Sequence, residues 1–453
     1  MKALASLLAL ATLSLPTFAS LDQAPPAFLY KDAKAVFVDF KSADYEIVHN
    51  VETKTSTVHS VIKFQATDSG YPIFDLVHNP TEVEIDGVPS NAEITMDPDK
   101  ESTLRILQTQ VEPGEHELRL SHVLTNNVVY KDNVVASGFW TSDLTDRRYL
   151  EQYLPTNLEF DQYKMNIKVS VEGSSVTHLL KTNGKVAKIS ENSFEVEYPS
   201  FYTASSMYFH LFPEKSFSNN VQFYYPSIDG RMIPVDIYTS YDIAPFVTTV
   251  KNVLAELEND YGPFPHDQLI VYGNAPSGGM EYSGATATAL GAVGHELFHS
   301  YHARCLMPAN GNAGWMDEAI ARWRDNKYPL SEKLFFESTK LAGHSVWTRK
   351  TDRMAYTEGS AFLSWVAYRM NEKGLSFKTF LREYFEKYKK TTVTTPLFQR
   401  ELTEASGLNL SPDFDKYIYG KGSSFNKSMK RIAAEDPNHP QYTQDELTRL
   451  TLP

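Results

Sequence analysis

An α+β chain, strands first and helices after, is what the sequence predicts, and two observations carry the prediction. Apolar and polar residues alternate in short runs from about Ala33 to Ile237, the period of half-buried strands. Beyond Asp242 apolar residues recur at three- and four-residue spacing, the period of helices packed on a core. The change of period near residues 238–242 marks a boundary between an N-terminal β-domain over 20–240 and a second domain over 241–422.

Taken in order, the first nineteen residues carry Lys2, an apolar run through Leu15 and the small-residue pattern Thr17, Phe18, Ala19, which reads as a secretory signal peptide over 1–19. The apolar run is shorter than the about 20 residues that a membrane-spanning helix needs. No cysteine follows the cleavage region, so no lipid anchor is expected there, and the mature chain is expected to be exported, to the periplasm or the medium, without an integral membrane segment. Residues 33–40 (AKAVFVDF), 103–107 (TLRIL), 117–120 (ELRL) and 166–171 (NIKVSV) are strands, separated by turn chemistry at Asp86-Gly87, Asp97-Pro98, Pro113-Gly114 and Asn183-Gly184. An antiparallel β-sandwich or saddle of roughly 190 residues fits them. Asp242 caps a helix carrying Phe246, Val250, Val253, Leu254 and Leu257, which Gly262, Pro263 and Pro265 stop. Residues 269–272 read as a buried strand and 279–290 as an edge strand. A helix over residues 295–299 and beyond follows, then a loop bracketed by Gly311 and Gly314, and a second helix over 315–324. Further helices are expected at 330–342, 357–373, 377–390, 395–405 and 412–419, the last opened by Ser411 and Pro412, with a polar tail over 423–453.

Composition narrows the function. A hydrophobic fraction of 42% with 13% aromatic residues supports substantial cores in a chain of this length. The formal charge of -13 becomes -14 once Lys2 is removed with the leader, and the run Lys387 to Lys390 lies among Arg382, Glu383 and Glu386 as a solvated helix face. Nucleic acid is excluded as a partner on that balance. Cys305 is the only cysteine, so no intrachain disulfide forms and stability rests on burial. Placed six residues past His299 on the expected helix, Cys305 is either a fourth metal ligand or a small buried hydrophobe.

Residues 295–299 read HELFH, and Glu318 follows after eighteen intervening residues. On a helix, positions i and i+4 share a face, so His295 and His299 can turn ring nitrogens to one metal while Glu296 falls beside them. Two imidazoles and a carboxylate are the ligand set of a catalytic Zn2+, which keeps a fourth position for a water of pKa about 7. Glu296 is then placed to take that water's proton as the catalytic base. The competing reading is a surface helix with two solvated histidines, and the apolar Leu297 and Phe298 between them argue against it. His302 is a rival ligand, three residues beyond His299.

Gly278-Gly-Met-Glu-Tyr282 stands just before this helix and Trp315-Met-Asp-Glu-Ala319 just after it. With these three motifs in order, the chain resembles the gluzincin aminopeptidases of the membrane alanyl aminopeptidase type over roughly residues 30–422, with some likeness to glycyl aminopeptidases. The stretches 149–155 and 160–171 are similar to the end of that family's N-terminal domain. The resemblance implies a β-saddle followed by a thermolysin-like mixed sheet and helical catalytic domain. It implies metal ligands at His295, His299 and Glu318, one Zn2+ per chain, and Glu296 as base. It also implies that Glu281 grips the substrate's free α-amine, that Gly278 and Gly279 hold the substrate backbone, and that Tyr356, in Tyr-Thr-Glu-Gly359, donates to the oxyanion. Without the resemblance, Glu281 is an edge-strand residue and Tyr356 a core aromatic. Asp317 is expected to support the helix start or a ligand.

Departures accompany the match. Tyr282 and Ser300-Tyr301-His302 replace the family's usual residues, and the N-domain partner of the substrate amine has only Asp143 and Glu151 as candidates. No long C-terminal helical-repeat region follows, which implies an open cleft. The expected function is an exported zinc aminopeptidase acting on peptides. The alternatives are an oligopeptide endopeptidase in which Glu281 is structural, and a noncatalytic peptide-binding protein.

Overall fold

Strand-forming alternation shows directly in burial: along Thr55–Ala66 every second residue, from Ser56 through Val58, Ser60, Ile62 and Phe64 to Ala66, turns inward. The computed structural model describes residues 21–142, 147–273 and 277–421; the expected leader, the polar tail and Asp143 lie outside them. Residues 28–213 form three sheets. The largest has eight strands, ordered 185–190, 193–197, 164–172, 39–50, 55–66, 114–123, 80–85 and 88–89. Its inner face packs a core that includes Tyr45, Ile47, Ile62, Phe64, Leu118, Met165 and Ile167. Two strand pairs are parallel, 164–172 with 39–50 and 33–37 with 71–74, where a wholly antiparallel arrangement was expected. Residue alternation reports a half-buried strand but not its direction, which is set by long connections.

The sheet that carries the site has five strands: β1 (Asn219–Pro226), β2 (Met232–Thr239), β3 (Leu269–Tyr272), β4 (Gly279–Tyr282) and β5 (Ala285–Thr288), in the order β1-β2-β3-β5-β4. β3 runs parallel to β2 and β5, and its four residues are all buried, as a continuous apolar run requires of a central strand. β1 and β2 precede the change of period at 238–242, yet they hydrogen-bond into this sheet. Periodicity identifies a strand without saying which sheet it joins. The edge strand expected over 279–290 is a hairpin instead, with β4 at the edge, β5 inside and Gly284 at φ 68° in the turn.

Helix α1 (Ile243–Tyr261) begins where Asp242 accepts from the Ala244 amide at 3.2 Å and ends at Gly262, with φ 103°. It buries Phe246, Val250, Val253, Leu254 and Leu257, each contributing roughly 1.5–3 kcal/mol of burial. α2 (Val293–His299), α3 (Trp315–Asp325), α4 (Ser360–Asn371), α5 (Phe377–Tyr388) and α6 (Thr395–Ser406) share that core. α2 ends at His299, so Cys305 is not on it; Cys305 is buried in the core and its thiol is pushed up to about 12 by burial.

No helix forms at 330–342. Backbone and hydroxyl groups there bond across to another segment instead: Ser338 and Thr339 donate to the carbonyls of Lys416 and Tyr417, and the Ala342 amide to that of Ile418. Gly343 lies so close that a Cβ would meet the Tyr419 carbonyl. Expected helix 412–419 is a short turn at Ser411–Asp413 running into a π-turn at 414–418. The irregular stretch before α4 is also held to the β-rich part, because Arg349 donates to Asp75 and Glu151 and Arg147 donates to Glu159 and Thr351. Among the described residues no helix is long and apolar enough to cross a membrane.

Candidate metal and catalytic site

α2 is buried because Val293, Leu297 and Phe298 pack in the core, which leaves His295 and His299 one turn apart on its other face. Their rings meet edge to face at 4.7 Å. The two Nε2 atoms are 3.1 Å apart, and Glu318 Oε2, on α3, lies 3.3 Å from that of His295 and 3.6 Å from that of His299. A tetrahedral ion with bonds of about 2.0–2.1 Å separates its ligands by about 3.3–3.4 Å. The three donors therefore stand at the corners of such a shell, and among the described residues they form the metal-binding group. Glu296 and Glu318 are 0% and 1% exposed, and two carboxylates buried together call for a cation. The residues fit one Zn2+.

Two residues that the sequence reading missed hold the ligands. Asp325 Oδ2 accepts from Nδ1 of His295 at 2.7 Å, which leaves Nε2 to face the metal position. Burial would lower the His295 pKa, but the hydrogen bonds to Asp325 and Glu318 and the nearby Glu296 charge outweigh it, so the group stays protonated well above the usual histidine range. Arg324 donates to the Gly294 carbonyl at 2.9 Å and to Glu256 at 2.9 Å, fastening α3 to α2 and α1. A signal existed: Asp325 is seven residues past Glu318, two helical turns along the same stripe. Asp317 Oδ1 accepts from the Glu318 amide at 2.7 Å, at the start of α3.

Gly279 explains how β4 meets the site. A Cβ there would lie 2.6 Å from Cγ of Glu296, so only glycine lets the strand touch the glutamate. Gly278, with φ 63°, turns the chain into the strand. Tyr356 sits in a π-turn at Ala355–Gly359 that seats on α3, where a Cβ on Gly359 would meet Ala319 at 3.0 Å. Its ring lies 6.3 Å from that of His295 and nearly parallel to it.

Glu281 is brought to the same face of β4 as Gly279, two residues on, but it does not stand alone. Its Oε1 is 2.7 Å from a terminal nitrogen of Arg304, whose Nε also donates to the Glu281 carbonyl at 3.2 Å; both side chains are fully buried. Arg304 follows α2 closely, its amide donating to the His299 carbonyl at 2.9 Å. The reading of the sequence missed Arg304, although a single cation inside the apolar stretch 303–309 must find a buried partner. Glu151 is buried and bound to Arg349 at 3.1 Å; its carboxyl is pushed up to about 7 by burial and by Asp75, against the pull of Arg349 and Arg148. His302 stacks on Phe298 at 5.4 Å, outside the ligand group, and burial and then His299 push it down to about 3.

No protein-family profile matches the sequence, and no curated protein does. Solved structures do match in shape. The M1 zinc metallopeptidase from Deinococcus radiodurans superposes with a TM-score of 0.57 at 13% identity, covering 88% of this chain and 96% of that one. Legionella pneumophila aminopeptidase A, in complex with aspartic acid, gives 0.60 at 14% identity over 85% of this chain and 50% of that one. Native yeast LTA4 hydrolase gives 0.57 at 14% identity over 86% and 69%. The fold is that of the M1 zinc metallopeptidases. The likeness to the D. radiodurans M1 structure runs through nearly all of that chain, so it takes in the β-rich part as well as the sheet and helices around the ligands.

Proposed function

We propose that the protein is an exported zinc-dependent aminopeptidase that removes N-terminal residues from peptides. The observation that carries the reading is the tetrahedral spacing of His295, His299 and Glu318 with Glu296 buried beside them. Zinc, when bound, supplies a water acidic enough to attack and a positive charge for the scissile carbonyl. Glu296 takes the proton released in that attack and delivers it to the departing nitrogen. Tyr356, over the ring of His295, donates to the carbonyl oxygen as negative charge grows there. β4, the edge strand of its sheet, offers backbone groups to an extended peptide, with Gly278 and Gly279 allowing close approach. The names of the similar structures, an aminopeptidase and M1 zinc metallopeptidases, support the same chemistry. Export rests on the leader pattern at residues 1–19.

Replacing Glu296 by Gln is expected to lower kcat by at least about a thousandfold while one zinc per chain stays bound. Metal analysis beside a peptide assay reads both; an active Glu296→Gln protein would contradict the mechanism. One observation favours a second reading, an oligopeptidase that also cuts away from a free amine: the Glu281 carboxylate is already paired with Arg304.

A further inference from the structure

Strand β4 and helix α2 touch at the site, where Gly279 lies against Glu296, and their C-terminal ends meet again at one side chain. His266, three residues before β3, is buried between them. Its Nε2 stands 2.9 Å from the carbonyl of Ser300, the residue that follows His299 at the end of α2. A carbonyl only accepts, so Nε2 carries the proton and Nδ1 keeps a bare lone pair. On the other side the same residue backs the β4–β5 turn, where a Cβ on Gly284 would lie 2.9 Å from Cβ of His266 and 3.1 Å from its Cγ. That turn is fixed from the β-rich part, since the Ser283 carbonyl accepts from Asn183 at 2.7 Å and from the Tyr202 hydroxyl at 3.1 Å. The backbone that carries the ring is fixed too: Arg231 donates to the His266 carbonyl at 3.3 Å, and the Phe264 amide to Glu258 at 2.8 Å.

Stability does not account for an imidazole at this place. Nδ1 is buried and has no partner among the described residues, and a buried acceptor left unpaired costs at least what one neutral hydrogen bond contributes. Burial, and after it Lys390 and Arg231, push the ring down to about 4 against the pull of the Ser300 bond, so it is neutral around pH 7. We propose that His266 is a positioning residue for the hydrolysis, a pin that sets the end of α2, with the ligand His299 and the base Glu296, against the turn that carries β4. The inference rests on the zinc-peptidase reading and names the contact that keeps the glutamate in step with the strand offered to the peptide. His266 touches no reacting atom; it acts through Ser300 and Gly284, and a catalytic group displaced by about 1 Å can lose about a hundredfold in rate.

His266→Leu removes the donor and keeps a similar bulk. It exchanges one unpaired buried acceptor, Nδ1, for another, the Ser300 carbonyl, so the melting temperature should stay within about 5 °C of native. The kcat for a peptide should fall at least about tenfold, with KM within about threefold and one zinc per chain retained. His266→Gln, whose amide nitrogen can reach the same carbonyl, should recover kcat to within about threefold of native. With Co2+ in place of zinc, the visible absorption of His266→Leu should differ from native and that of His266→Gln should match it, because His299 is next to the lost contact. A native kcat in His266→Leu, a loss that His266→Gln leaves in place, or an unchanged cobalt spectrum overturns the proposal. Should His266→Leu melt lower or fail to fold, His266→Asn, whose amide stops short of the carbonyl, takes its place with the same expectations. If the native protein cuts no peptide, the peptidase reading fails, while the cobalt spectra still decide the role of His266.

Discussion

Asp325 decides which nitrogen of His295 faces the metal position, because a proton held on Nδ1 leaves the Nε2 lone pair free to ligate. Asp325→Ala is expected to weaken zinc binding about 10- to 100-fold, read by competition with a chromophoric chelator; unchanged affinity would remove the contact from the account. The same carboxylate, with Glu318, keeps His295 protonated in the metal-free protein, so zinc must expel a proton to bind. Apparent affinity should therefore fall as pH is lowered, and a zinc titration that is flat between pH 5.5 and 7.5 would contradict it. Histidine spacing was legible in the sequence because i and i+4 are neighbours on any helix. Arg304 was not, because its partner Glu281 lies across a turn, on a strand that precedes the helix, and only the fold brings the two together.

At the scale of elements, α2 is a seven-residue helix whose position depends on what is pressed against it. β4 presses through Gly279, and α3 through Arg324. Gly279→Ala should drive a methyl into Glu296, forcing strand and helix apart; a fall in kcat of about tenfold or more with zinc retained is the expected result, on the scale of a misplaced catalytic group. Full activity in that variant would show that the strand has room to give. α1 was readable from its cap, its stripe and its terminating glycine, all local signals. The stretch 330–342 misled because its apolar residues match a helix while its hydroxyl and amide groups are satisfied by residues 416–418, far along the chain. The hairpin of β4 and β5 was hidden for a similar reason, since both strands are buried and carry no alternation.

Across the whole molecule, buried carboxyls make stability depend on pH. Asp161, which accepts from the Phe40 amide and from Asn157, is pushed up to about 7, first by burial and then by Asp39, against those hydrogen bonds. Its folded value stands above the unfolded one, so the native state holds a proton that the unfolded chain has released between about pH 4 and 7. That stability is complete below the window and lost as pH rises through about 7; Glu151 acts in the same direction. The melting temperature should fall between pH 5 and 8, and Asp161→Asn should flatten the slope, an effect on the order of a few kcal/mol. A native protein whose Tm rises over that range would contradict the assignment. That most strands precede the helices along the chain was legible from period alone, but not the membership of β1 and β2, because edge hydrogen bonding leaves no mark on residue order.

Arg349 bolts the β-rich part to a short tether, and seven residues further along that tether comes Tyr356. The three ligands sit on α2 and α3, outside it. The phenol's place is thus set partly from the β-rich side, and losing the two Arg349 contacts would loosen the oxyanion donor through seven residues of chain while leaving the ligand residues themselves untouched.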